Sequence, residues 1–193
     1  MELPYSQDML DLIATFNRWQ VQYLIVGGRA VNAYTEARGT KDLDIWTNPT
    51  PENAKRVYAA LKEFGAPLFG ATEEDFARKG DFLFLGVAPN RIDLLKDIPG
   101  ADFDACWEKK QCFDLGNGIT ANYLGLQDLI AAKLAAARHI DLADAEKLQV
   151  ALERKQKQSQ EPNRTIPRPE EPNPSSSEHE GKPRPSDETG AQP

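Results

Sequence analysis

The 193-residue chain carries 23 Lys and Arg against 30 Asp and Glu, a formal net charge of −7, so bulk electrostatics argue against a nucleic-acid binder. Its two cysteines, Cys106 and Cys112, and two histidines, His139 and His179, have no zinc-ligand spacing and no CxxC pattern. The start "MELPYSQDML" is acidic and no apolar run approaches a membrane span, so a cytoplasmic chain with reduced thiols and no membrane partner is expected.

In chain order, "SQDMLDLIATFNRWQ" places Met9, Leu10, Ile13, Phe16 and Trp19 at helical spacing behind Ser6, which predicts an amphipathic helix over 6–20. "QYLIVGG" is a short apolar run stopped by glycines, the pattern of a strand buried on both faces, and "RAVNAYTEA" then reads as a helix. The strand "DLDIWT" follows, then a helix in "NPTPENAKRVYAALKEFG", with Pro51 in its first turn and Gly65 past its end. Thr72 and Asp75 form a capping-box pattern. Beyond it, "DFLFLGV" and "RIDLLKDI" make a hairpin about "APN". "QCFDL" and "ITANYL" pair about "GNG", and the helices "LQDLIAAKLAAARH" and "DLADAEKLQVALERK" close the domain. The expected fold is α/β (α+β): a small mixed sheet with flanking helices.

Residues 156–193 hold eight of the 14 prolines, no aromatic side chain and one aliphatic residue larger than alanine, Ile166. Such a segment cannot bury enough apolar surface to offset its chain entropy, so residues 1–155 are expected to form the domain and 156–193 a disordered tail. Deleting the tail is expected to shift the melting temperature little. A loss of several degrees in a thermal melt would move the domain boundary.

The chemistry concentrates in "GGRAVNAYTEARGTKDLDIW", residues 27–46. On a strand, Asp42 and Asp44 share one face while Leu43 and Ile45 share the other. Two carboxylates roughly 7 Å apart repel by about 2 kcal/mol at an effective dielectric near 20. A divalent cation would reverse that load, and an all-oxygen donor set favours Mg²⁺ or Mn²⁺. Taken alone, an Asp-x-Asp pair reads more simply as two solvated residues of a half-exposed strand. Asp93, inside the apolar run "RIDLL", is a third carboxylate in a setting where an unpaired charge is costly. Three carboxylates from two strands have the make-up of a two-metal phosphoryl-transfer site.

Gly27 and Gly28 end a strand and open a helix, where backbone amides can receive phosphate; Arg29 and Lys41 flank this stretch as further candidate nucleotide contacts. Lys133 falls within the apolar stripe of Leu126, Leu129, Ile130, Leu134 and Ala137. It reads either as a snorkelling lysine or as an ammonium reaching a polyphosphate. Asp141 reads as the N-cap of the last helix with Asp144 at N3; alternatively either carboxylate orients Lys133 or the acceptor.

Residues 23–46 resemble the signature of the DNA polymerase beta-like nucleotidyltransferase superfamily, and their spacing is similar to its abortive-infection toxin-type branch. The resemblance implies a nucleotidyltransferase-like fold, with Asp42, Asp44 and Asp93 as catalytic and metal-binding residues, Asp93 being the third metal ligand or the base that deprotonates the acceptor, and Gly27 and Gly28 on the triphosphate. "DLIAAKLAAARHIDLADAEKL" resembles a later motif of that branch and implies accessory roles for Lys133, Arg138, Asp141 and Asp144. The function implied is metal-dependent transfer of an NMP group from an NTP to an RNA end, a protein side chain or a small molecule. A toxin–antitoxin or phage-defence setting, with a cognate antitoxin or regulator as partner, is implied by the branch. The competing readings are a glycosyl transferase with a DxD site and a nucleotide-binding partner module without turnover.

Overall fold

The computed structural model describes residues 5–78, 82–87 and 90–160. Helix α1 (Gln7–Arg18) begins where the Ser6 hydroxyl accepts from the Met9 N–H, and it buries Met9, Leu12, Ile13 and Phe16. Strand β1 (Tyr23–Ile25) is buried throughout. It passes through Val26 directly into α2 (Gly27–Tyr34), and β2 (Leu43–Thr47) follows. Helix α3 (Pro51–Phe64) has Thr50 as its N-cap and Gly65 in the left-handed conformation at its end, with φ +83°. Both ends are thus closed by residues suited to them.

A short 3₁₀ turn at Glu73–Phe76 opens where the Asp75 carboxylate accepts from the Thr72 backbone N–H at 2.7 Å. Strands β3 (Phe82–Leu85) and β4 (Ile92–Leu95) then pair antiparallel as the hairpin pattern predicts. Most of the "APN" turn lies outside the described residues. The second hairpin is β5 (Gln111–Asp114) with β6 (Thr120–Tyr123). Between the hairpins lies α4 (Phe103–Trp107), which the sequence reading omits although Asp102 caps it, accepting from the Ala105 N–H at 3.1 Å. At five residues it is too short to show helical periodicity.

The strands form one six-stranded mixed sheet in the order β3-β4-β2-β1-β6-β5. Hairpins form both edges, β1 runs antiparallel to β2 and parallel to β6, and β2 runs parallel to β4. This last pairing positions the site, because its register sets Asp44 opposite Asp93. Leu43 and Ile45 are completely buried on one face of β2. The carboxylate-bearing face is covered at one end, where Trp46 is buried and its ring meets Phe103 of α4 edge-on at 4.9 Å. Asp42 and Asp44 on the same face remain partly exposed.

Helices α5 (Leu126–Ala136) and α6 (His139–Gln160) are separated by Ala137, in the left-handed conformation, and Arg138. Two helical details differ from expectation. Leu134 is 46% exposed, so the buried stripe of α5 is Leu126, Leu129, Ile130 and Lys133. Helix α6 starts at His139, which places Asp141 inside its first turn rather than at the N-cap. The left-handed turn at Ala137 lets the next helix begin two residues earlier than the sequence reading sets it. Helix α6 also runs to Gln160, so the boundary expected at residue 155 falls within it; residues 156–159 are exposed, and the tail from 161 lies outside the described residues. The truncation test is accordingly best cut after Gln160.

Among the described residues no helix is long and apolar enough to cross a membrane. Cys106 is buried, Cys112 is exposed, and neither is in a disulfide.

Candidate active site

The turn from β1 into α2 lies against the carboxylate of β2. The Val26 N–H donates to the Asp44 carbonyl at 3.0 Å, and Gly27 follows with φ +62°. A Cβ on Gly27 would lie 1.9 Å from Asp44 Oδ2, so only glycine lets the backbone approach the carboxylate this closely. Gly28 is restricted by a different neighbour: its Cβ would lie 2.6 Å from Thr40 Oγ1.

The first intrahelical bond of α2 runs from the Ala30 N–H to the Val26 carbonyl, and no side chain caps the helix. The amides of Gly27, Gly28 and Arg29 stand ahead of that bond, at the positive end of the helix dipole. Gly27→Ala is expected to lose about 1–3 kcal/mol from the left-handed backbone alone, with displacement of Asp44 besides. Urea unfolding of Gly27→Ala beside Gly28→Ala checks this, since Gly28 has no positive-φ penalty and its Cβ would meet only the Thr40 side chain, Oγ1 at 2.6 Å and Cβ at 3.0 Å, and the end of Arg38.

Asp44 is the least compensated of the three carboxylates. Burial pushes its pKa up to about 6, with Asp93 and Asp42 adding to the rise and Lys133 and Arg91 opposing it. Asp93 is 6% exposed, and burial raises its pKa against the pull of Arg91. Arg91 holds Asp93 by two bonds, Nε to Oδ1 at 2.8 Å and Nη2 to Oδ2 at 3.0 Å, and the same Nη2 donates to Asp42 Oδ2 at 2.9 Å. The other oxygen of Asp42, Oδ1, is buried without a hydrogen-bond partner.

Arg91 was missed by the sequence reading, although strand alternation puts residues 91 and 93 on one face. Its presence changes the expected metal triad. Among the described residues no group of three or more His, Cys, Asp or Glu side chains is arranged to hold a metal ion. The free donors are hard oxygens on Asp42 and Asp44, which suit Mg²⁺ or Mn²⁺, whereas both oxygens of Asp93 are taken by Arg91.

A second charged cluster joins α5 to α6. The Lys133 ammonium is buried, 2.8 Å from Asp141 Oδ1 and 3.0 Å from Asp144 Oδ2. Arg138 donates to both Asp141 oxygens, and Arg38 forms a two-bond pair with Asp144 at 2.8 and 2.7 Å. Burial pushes both carboxyls up, but hydrogen bonds from Arg138 and Lys133 to Asp141, and from Arg38 and Lys133 to Asp144, hold both pKa values below the ordinary range. Arg38 also escaped the sequence reading, for it meets Asp144 across 106 positions. The alternative in which Asp141 and Asp144 orient Lys133 matches these contacts.

A cavity of about 180 Å³ lies between Asp44 and the second cluster, and Asp42, Asp93 and Arg91 are not among its lining residues. Gly27, Asp44, Lys133, Arg138 and Asp141 line it beside the apolar side chains of Val26, Ile98, Leu124 and Leu129. Two other candidates lie elsewhere. Arg29 is 2% exposed and braces the approach to β2, donating to the carbonyls of Asp42 at 3.2 Å and Lys41 at 3.4 Å. Lys41 is exposed one residue before Asp42. Neither lines the cavity.

No protein-family model matches the chain, and no curated protein matches it. Among solved structures it is similar to the antibiotic-resistance factor ANT(2'')-Ia, at 14% identity over 79% of this chain and 92% of that one, with a TM-score of 0.44. It is also similar to a candidate nucleotidyltransferase from Thermotoga maritima, at 18% identity over 76% of this chain and 89% of the other, with a TM-score of 0.41.

Proposed function

We propose that the chain is a metal-dependent nucleotidyltransferase that moves an NMP group from an NTP to an acceptor and releases pyrophosphate. One observation carries this reading: Asp44, partly buried and short of compensating charge, abuts the uncapped N-terminus of α2 in a cavity that also holds Lys133 and Arg138. Anion-receiving amides, a cation-receiving carboxylate and two fixed positive charges are what a metal-bound triphosphate requires together. The Asp-x-Asp resemblance of residues 23–46 points the same way.

Asp42 and Asp44 would hold the divalent ion, which when bound supplies Lewis-acid stabilisation of charge on the phosphoryl oxygens. The amides opening α2 would receive phosphate oxygens, and Gly27 permits that approach by having no side chain. Lys133 has three N–H donors and gives two to Asp141 and Asp144, so a third is left for phosphate. Arg138 has a side chain 74% exposed and would reach the outer end of the same group.

Asp93 fits a general base poorly while Arg91 holds both its oxygens. Its role in this reading is to anchor Arg91 beside the metal ligands. The acceptor is left open between an RNA end, a protein side chain and a small molecule, and the antitoxin or regulator partner belongs to the same open set.

The decisive experiment incubates the full chain with each α-³²P-labelled NTP, Mg²⁺ and, in separate reactions, total RNA, total protein and a small-molecule extract. Transfer of label to one fraction, lost in Asp44→Asn, supports the reading. No transfer from any NTP, with no binding of a nonhydrolysable NTP in the presence of Mg²⁺, overturns it.

A further inference from the structure

Asp44 and Asp93 stand directly opposite each other on two adjacent parallel strands, and Asp42 lies one residue before the first of these strands. Their charges are not equally open to a cation. Arg91 spends its fork on Asp93 and shares Nη2 with Asp42, making three charge-assisted bonds of 2.8 to 3.0 Å. Its guanidinium also lies 5.1 Å from the centre of the Phe84 ring. Such a planar, two-bond arrangement is stronger and more oriented than a single ammonium contact. What remains is one oxygen of Asp42, buried and unpartnered, and the carboxylate of Asp44, for which the described residues provide no hydrogen bond.

Resting on the metal-dependent reading above, we infer that this site takes a single divalent cation, held by Asp42 and Asp44, and that Arg91 is the permanent second positive charge, fixed on Asp93 and Asp42. Charge balance favours that count. Three carboxylates against one guanidinium leave a deficit of two charges, which one divalent ion fills. A second ion would have to displace Arg91 from three hydrogen bonds and from its ring contact, or else sit beside it at the cost of like-charge repulsion. Arg91 is thus a positioning residue that sets the number and place of cations, and Asp93 acts through it.

The test counts ions rather than turnover. The full chain, free of nucleotide, is titrated with Mn²⁺ while electron paramagnetic resonance follows the free ion. One bound Mn²⁺ is expected for the parent chain and two for Arg91→Met, with the first at least tenfold tighter because a competing positive charge is gone.

Should Arg91→Met fail to fold by circular dichroism, Arg91→Gln serves. It keeps a hydrogen bond to Asp93 while losing the charge, and is likewise expected to bind two. Two ions in the parent chain, or one in a folded neutral variant, overturns the inference and leaves the transferase reading standing. No Mn²⁺ bound by the parent overturns both. One ion bound without NMP transfer overturns only the transferase reading.

Discussion

Replacing Lys133 by methionine is expected to destabilise the fold by about 3 kcal/mol and to weaken binding of a nonhydrolysable NTP about tenfold, the loss of one charge-assisted contact. A snorkelling lysine would tolerate the change, since methionine keeps the apolar stem. Lys133 does not snorkel: its ammonium is enclosed between Asp141 and Asp144, each 1% exposed. Removing one member of a buried ion group leaves its partners without compensation.

The loss is held near the lower end of the usual range because Arg138 and Arg38 each keep their bonds to one of these carboxylates. Urea unfolding at pH 7 measures the first effect, and a fluorescence titration with the NTP analogue and Mg²⁺ measures the second. Unchanged stability would mean that the arginines alone satisfy the aspartates. Unchanged affinity in a folded variant would reduce Lys133 to a strut between α5 and α6.

The contrast between Lys133 and Arg38 indicates what a sequence can disclose. Lys133 was noticeable because it breaks an apolar stripe with a period that can be read locally. Its pairing with Asp141, eight residues on, lies within the same helical hairpin. Arg38 occupies a loop with no periodicity, and its partner is brought by the packing of α6, so no local pattern reveals it.

The same division holds across the fold. The two hairpins, the caps of α1 and α3, and the buried strand before Gly27 follow from neighbours in sequence. The sheet order, which interposes β1 and β2 between the hairpins, does not. The Asp-x-Asp pair was legible by alternation, but the burial of Trp46 on the same face depended on α4, whose Phe103 packs against it. Arg91 was within reach, two residues before Asp93. It went unread because attention to acidic residues as ligands passes over the base that can already occupy them.

Neutralising Asp44 should have the opposite sign from neutralising Lys133. With its carboxyl pushed up to about 6 from 3.8, the folded state binds this proton more tightly than the unfolded chain does. Between those two values the unfolded state therefore holds fewer protons, and stability falls as pH rises. Well below pH 3.8 the group is protonated in both states and contributes nothing; well above about pH 6 the whole penalty is present, on the order of 2–3 kcal/mol.

Asp44→Asn removes that ionisation. Without metal it should match the parent near about pH 3 and exceed it by up to about 2–3 kcal/mol at about pH 7.5, as read by urea unfolding at the two pH values. Mg²⁺ with an NTP analogue should then stabilise the parent chain and not the variant, because ligand that binds the native state raises stability only where its seat is intact. Asp42→Asn should lose the same ligand response, while Asp93→Asn should affect it less, through release of Arg91. If Asp44 were a solvated bystander, the variant would follow the parent across the whole pH range and keep its response to metal and nucleotide, and the cavity beside Gly27 would have no claim to be the active site.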